Sequence, residues 1–176
     1  MAKPGDMQGP LVGIVMGSDT DFPVMSETGK TLDKFGISYE MEVLSAHRTP
    51  ARAHEYSTTA ASRGLKVIIA AAGAAAHLAG VMAANTTLPV IGVPMATSTL
   101  QGLDALLATV QMPGGIPVAT MAIDKAGAVN AAIFAAEIIG LFDSTIAATL
   151  IEHKESMARG VAEKNARLQK QLSETK

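Results

Sequence analysis

Ser45-Ala-His-Arg-Thr-Pro50 sets an imidazole beside a guanidinium. An imidazole, with a reference pKa of about 6.5, both donates and accepts protons near neutrality, and a guanidinium grips a phosphate through two parallel N–H groups. His47 is therefore a candidate general acid and base and Arg48 a candidate phosphate ligand; the plainer alternative is a hydrogen-bonded loop histidine next to a solvated charge. Gly17-Ser-Asp-Thr-Asp21 offers a hydroxyl that could meet a phosphate and carboxylates that could meet ribose hydroxyls, a pairing that suits a mononucleotide. Alternatively Ser18, Asp19 and Asp21 only cap a helix. Ala72-Gly-Ala-Ala-Ala-His-Leu-Ala-Gly80 presents His77 in a stretch with almost no side-chain bulk, where backbone N–H groups can come close to a ligand. Otherwise His77 is a helix-start residue in a tight contact. His54 and His153 read as solvated.

Several chemistries are disfavoured by what the loops lack. The sequence contains no Gly-x-Ser-x-Gly elbow, no P-loop and no Gly-x-Gly-x-x-Gly fingerprint, and no His and carboxylate spacing announces a metal. The absence of cysteine removes thiolate zinc sites, disulfides and thiol nucleophiles, and fits a reducing cytosol. A phospho-accepting receiver would need an aspartate where Ala70 to Ala72 stand, and a flavin would need loop aromatics that are nearly missing. Acid/base chemistry on a small phosphorylated molecule survives.

The elements that must position these loops alternate between strand and helix. Leu11 to Met16 reads as a strand, followed by a helix opening at Pro23 and ending at Gly36. Tyr39 to Leu44 is a second strand and Pro50 to Arg63 a second helix, with Thr49 as cap and Gly64 as stop. Lys66 to Ala71 is a continuous apolar strand of the kind buried on both faces, with a helix near His77 to Thr86 behind it. Leu88 to Val93 makes a fourth strand, Leu100 to Val110 a helix, Val118 to Ile123 a fifth strand, and Ala126 to Leu141 a fifth helix. Parallel strands joined by helical crossovers predict a three-layer α/β/α sandwich with a flavodoxin-like sheet of about five strands. Ligands bind such sheets beyond the carboxyl ends of the strands, which is where the three loops fall.

With 176 residues, 48% apolar and 17% charged, the chain can build a core of its own. The 14 basic residues nearly cancel the 16 acidic ones, and a net charge of −2 offers no attraction for nucleic acid or anionic lipid. No convincing signal peptide opens the sequence, and the apolar stretch Val67 to Ala84 is mostly alanine, broken by Gly73, His77 and Gly80. A soluble, cytoplasmic protein is expected. Aromatics make up only 3%, so burial must come from many short contacts, and subunit interfaces become plausible. Residues 1–10 are expected to be flexible, residues 11–142 to form the α/β domain, and residues 143–176 a helical extension. In that extension Ile146, Leu150, Met157, Val161, Leu168 and Leu172 fall within a stripe about 80° wide. The stripe lies either on its own domain or on a neighbouring subunit.

Taken together, Met16-Gly-Ser-Asp-Thr-Asp21, Ser45-Ala-His-Arg-Thr-Pro50, Ala75-Ala-His-Leu78, Pro89-Val-Ile-Gly-Val-Pro94 and Gln111-Met-Pro113 resemble the class I N5-carboxyaminoimidazole ribonucleotide mutase family, PurE, in order and spacing from Leu11 to Phe142. The resemblance implies an isomerase of purine biosynthesis that moves a carboxylate from the exocyclic nitrogen to carbon 4 of aminoimidazole ribonucleotide, through trapped CO2. It implies no metal and no organic cofactor, and a homo-octamer whose carboxy-terminal helices reach onto neighbours. By matching positions, His47 is the acid/base, Ser18 and Arg48 are phosphate ligands, Asp21 is a ribose ligand, and Ser45, Gly73 and His77 line the site. Two rival readings remain: a class II relative that carboxylates aminoimidazole ribonucleotide directly, with a His-Lys-Thr-like motif and no Ala-His-Leu, and an idle nucleotide-binding or assembly module. The chain departs from the family by carrying Ala71, Ala74 and Ala79 where glycine, glycine and proline are usual. If the glycine replaced by Ala74 served a positive φ, the loop must adjust or carry strain.

Overall fold

The computed structural model describes residues 9–175; of the segment expected to be flexible, residues 1–10, all but the last two lie outside the described residues. Among the described residues five strands, β1 (Val12–Met16), β2 (Tyr39–Val43), β3 (Val67–Gly73), β4 (Val90–Met95) and β5 (Ala119–Thr120), form one sheet in the order β2-β1-β3-β4-β5. Every pairing is parallel. Six α-helices accompany them: α1 (Phe22–Lys34), α2 (Pro50–Thr59), α3 (Leu78–Ala84), α4 (Leu103–Val110), α5 (Asp124–Gly140) and α6 (Ser144–Glu174).

The continuous apolar strands feed two cores because successive side chains point to opposite faces. Ile14, Met16, Ile69 and Ala71 face α1, α5 and the start of α6, whereas Val15, Ile68 and Ala70 face α2 and α3. Alanine sets the spacing on the first face. Ala128, Ala131, Ala132, Ala135 and Ala136 of α5 are wholly buried, and the Thr28 hydroxyl of α1 donates to the Ala128 carbonyl at 2.9 Å. The three-layer sandwich and its flavodoxin-like strand order follow the expectation.

Several boundaries differ from the sequence reading, each for a local reason. Helix α2 stops at Thr59, not Arg63, because the chain turns through residues 60–64 and Leu65 N–H reaches back to Ala60 O at 3.2 Å, pulling Leu65 into the core. Thr49 does not cap α2 with its side chain. Its hydroxyl turns the other way, accepting the Ser45 N–H and donating to the Ser45 carbonyl, both at 3.0 Å. Strand β4 begins two residues later than expected and runs through Pro94. Proline is tolerated there because β5 pairs only with Ile91 and Gly92, leaving the rest of β4 an open edge. Strand β5 is correspondingly short: past Thr120 only the Met121 N–H, on Gly92 O at 2.9 Å, continues the pairing.

The tail is a single helix of 31 residues, about 46 Å long, capped by Asp143, whose carboxylate accepts the Thr145 and Ile146 N–H groups. Ile146 and Leu150 of its stripe are buried on the domain, while Met157, Val161, Leu168 and Leu172 are exposed. Among the described residues no helix is long and apolar enough to cross a membrane.

Candidate active site

The strand order reverses between β1 and β3, so the loops after these two strands splay apart and open a crevice at their carboxyl ends. A cleft of about 350 Å³ occupies that position. All seven residues singled out in the sequence line it: Ser18 and Asp21 after β1, Ser45, His47 and Arg48 after β2, Gly73 at the end of β3 and His77 beyond it. Sequence positions 18 to 77 are thus gathered by the sheet alone.

The loop after β2 is built by its own hydroxyls. Ser45 Oγ accepts the Arg48 N–H at 3.1 Å while Thr49 closes the turn on the Ser45 backbone, so that His47 stands out at the apex. Arg48 folds towards β1 and donates from Nη2 to the Gly17 carbonyl at 3.2 Å. This places a permanent positive charge beside the β1 loop.

His47 Nε2 and His77 Nδ1 lie 2.8 Å apart, with the two rings edge to face at 4.9 Å between centroids. At that separation one nitrogen carries the hydrogen and the other accepts it. Both rings remain exposed to the cleft. His77 is presented by a tight turn in which Ala76 N–H and His77 N–H bond to the carbonyls two residues before them. The turn begins at Ala74, whose φ is +52°. An alanine therefore stands in a left-handed position that favours glycine, and it carries the strain.

In the β1 loop the capping bonds are present. Ser18 caps the short 3-10 turn Asp19–Asp21: its Oγ accepts the Thr20 N–H at 3.3 Å, and Asp21 Oδ2 accepts the Ser18 N–H at 3.2 Å. The same residues wall the cleft. Asp21 is only 2% exposed, and burial pushes its carboxyl above the usual range, partly offset by the Ser18 N–H and reinforced by the charges of Asp124 and Asp19.

Thr97, after β4, was not among the expected site residues. It lines the cleft against Gly73, where a Cβ would run into Thr97 Oγ1 and come within 2.9 Å of Thr97 Cβ. Its signal was positional, since the loop after β4 also leaves a strand's carboxyl end. Among the described residues no three His, Asp or Glu side chains converge as metal ligands.

Fold and site together define a flavodoxin-like α/β protein with paired histidines, an arginine and a buried carboxylate around a small cleft at the sheet's switch point. The chain matches the AIR carboxylase family over residues 11–160 and belongs to it. It is 56% identical over 160 residues to the N5-carboxyaminoimidazole ribonucleotide mutase of Thermotoga maritima, covering 91% of this chain and 92% of that one. It is 54% identical over 159 residues to the protein of the same name from Bacillus subtilis, covering 90% and 98%. The crystal structure of Treponema denticola PurE superposes with a TM-score of 0.81 at 29% identity, covering 90% of this chain and 98% of that one.

Proposed function

We propose that this chain is an N5-carboxyaminoimidazole ribonucleotide mutase, an isomerase of purine biosynthesis. The observation that carries the reading is His47 in contact with His77 in a cleft that Arg48, Asp21, Ala72, Gly73 and Ala75 also line. The phosphate lies towards Ser18 and Arg48 and the ribose hydroxyls towards Asp21, which leaves the heterocycle between the histidines and the Ala72–Ala75 wall. The bond from the exocyclic nitrogen to the carboxylate carbon breaks as His47 gives that nitrogen a proton. The CO2 released stays against the alanine and glycine wall, carbon 4 of the ring attacks it, and His47 takes the proton that carbon 4 loses. One imidazole serves both transfers and ends as it began. Caging CO2 beside the ring supplies proximity and excludes water. Side chains of this chain suffice, with no metal or organic cofactor.

In this reading residues 11–142 are the catalytic domain and residues 143–176 an arm that packs on a neighbouring copy in a cytoplasmic homo-oligomer, an octamer. The exposed stripe of α6, the exposed Leu103, Leu107 and Val110 of α4 and Leu100 in the loop before it support a self-association that light scattering would measure.

The deciding experiment supplies the purified chain with N5-carboxyaminoimidazole ribonucleotide and compares the parent with His47→Asn. Loss of an acid/base group predicts a fall in kcat of roughly 10² to 10⁴-fold with nucleotide binding retained. Efficient incorporation of labelled bicarbonate into aminoimidazole ribonucleotide, without the N-carboxylated substrate, would identify a direct carboxylase instead. Binding without turnover in both proteins would identify an idle nucleotide-binding module.

A further inference from the structure

Asp124 has no part in the scheme above, yet it holds an unusual backbone. It opens α5 at φ +55°, a left-handed conformation that L side chains adopt only at a cost. Its Oδ1 accepts the Ala96 N–H at 2.8 Å. Ala96 is the first residue beyond β4, and its neighbour Thr97 forms the cleft wall against Gly73. The far end of the same loop returns to the same spot. A Cβ on Gly102, at φ +85°, would stand 2.7 Å from Ile123 Cγ2 and 3.3 Å from Ala96 Cα, so only glycine lets the loop close over the residue before Asp124. Within the loop, Gln101 N–H bonds Ser98 O and Leu100 N–H bonds Ser98 Oγ, both at 3.1 Å. Residues 96–102 therefore form an ordered unit, and a single carboxylate outside the unit ties its start to α5.

We propose that Asp124 is a positioning residue that pins Ala96 so that Thr97 seals the cleft beside Gly73, keeping CO2 in place between its release and its recapture. The proposal rests on the carboxylate-transfer reading. In that reaction, cleavage of the nitrogen–carbon bond and protonation of nitrogen produce aminoimidazole ribonucleotide and CO2 as a bound pair. With the wall closed, carbon 4 bonds to CO2 and gives up its proton. With the wall loose, CO2 leaves before the new bond forms, and free aminoimidazole ribonucleotide is the product. The clamp therefore governs how turnovers are partitioned and not only how fast they occur.

Two substitutions separate the clamp from the backbone. Asp124→Gly removes the acceptor but accepts a positive φ; Asp124→Asn keeps an oxygen acceptor and tolerates the same φ. The measurement uses substrate radiolabelled in the carboxylate and scores CO2 released per carbon-carboxylated product, corrected for spontaneous loss, alongside kcat, KM and the urea midpoint. Asp124→Gly should raise the ratio by roughly tenfold, as expected for loss of one charge-assisted hydrogen bond. Asp124→Asn, which keeps a neutral hydrogen bond to Ala96, should leak clearly less than Asp124→Gly. Thr97→Gly, which opens the same wall without touching α5, should leak in the same way and provides the test if Asp124→Gly fails to fold. The proposal is overturned if Asp124→Gly or Thr97→Gly partitions like the parent, or if Asp124→Asn leaks as much as Asp124→Gly. If the parent itself forms no carbon-carboxylated product, the functional reading has failed and the proposal falls with it; normal product formation with unchanged partition condemns the clamp alone.

Discussion

Replacing Ala74 by glycine should make this protein more stable, against the usual direction of an alanine-to-glycine change. Ala74 sits at φ +52° in the turn that presents His77. An L residue in the left-handed region costs about 1–2 kcal/mol, and glycine there costs nothing sterically. Against that gain stands the larger conformational entropy that glycine loses on folding, roughly 0.5–1 kcal/mol relative to alanine. The methyl group is exposed, so deleting it removes little buried surface. The balance is a net stabilisation of about 0–1.5 kcal/mol, centred a little below 1 kcal/mol. Urea unfolding at one fixed protein concentration is the appropriate assay, since association would make the midpoint concentration-dependent. The midpoint should rise with the slope unchanged. Ala74→Val, a β-branched residue at the same φ, should fall well below the parent. A lower midpoint for Ala74→Gly, or a valine variant as stable as the parent, would refute the claim that this turn stores backbone strain.

Gly13 is accommodated within β1 because Tyr56 of α2 packs directly over it: a Cβ there would collide with Tyr56 Oη and stand 3.2 Å from Leu65 Cδ1. Gly13→Ala should therefore destabilise by about 1–3 kcal/mol, the range for overpacking a full core, and the urea midpoint measures it. Asp21 makes the opposite trade. Its carboxyl binds a proton more tightly in the folded chain than in the unfolded one, chiefly through burial. Its favourable contribution is thus complete below the ordinary aspartate range, is lost as pH rises through the raised value, and stays lost at neutrality. Asp21→Asn should gain stability over the parent at neutral pH and lose that advantage in acid, while nucleotide binding weakens; equal urea midpoints for the two proteins across the whole pH range would contradict the burial argument.

The parts of this site that were legible in the sequence are those set by strand order and loop chemistry. His47 and Arg48 follow β2, and Ser18 and Asp21 follow β1. A parallel sheet with its first crossover reversed brings the loops of β1, β2 and β3 to one end whatever the details of each turn. Element ends were less legible, because they are decided by partners distant in the chain. Pro94 reads as a terminator of β4, yet the brevity of β5 turns that stretch into an edge where a proline costs nothing. Thr49 reads as a helix cap, yet its hydroxyl is already occupied on Ser45. A hydroxyl that can bond either forward or backward is not resolved by residue type alone.

Strain was partly legible and its purpose was not. The family pattern that the motifs resemble makes Ala74 suspect, and its φ is positive. Asp124 carries no such warning, since an acidic residue at the start of α5 looks like an ordinary complement to the helix dipole. Only the fold shows that its carboxylate faces the Ala96 N–H across 28 positions of sequence. The bond reaches α5 from the loop that carries Thr97, so the wall opposite Gly73 depends on a residue remote from the motifs. Along Ala72, Gly73 and Ala75 the cleft has few side chains that could brace one another. Its shape must then be held by the backbone, and backbone clamps such as Asp124 on Ala96 and Thr49 on Ser45 supply that rigidity. The same scarcity of bulk that makes room for a small ligand moves the burden of positioning onto residues that never touch it.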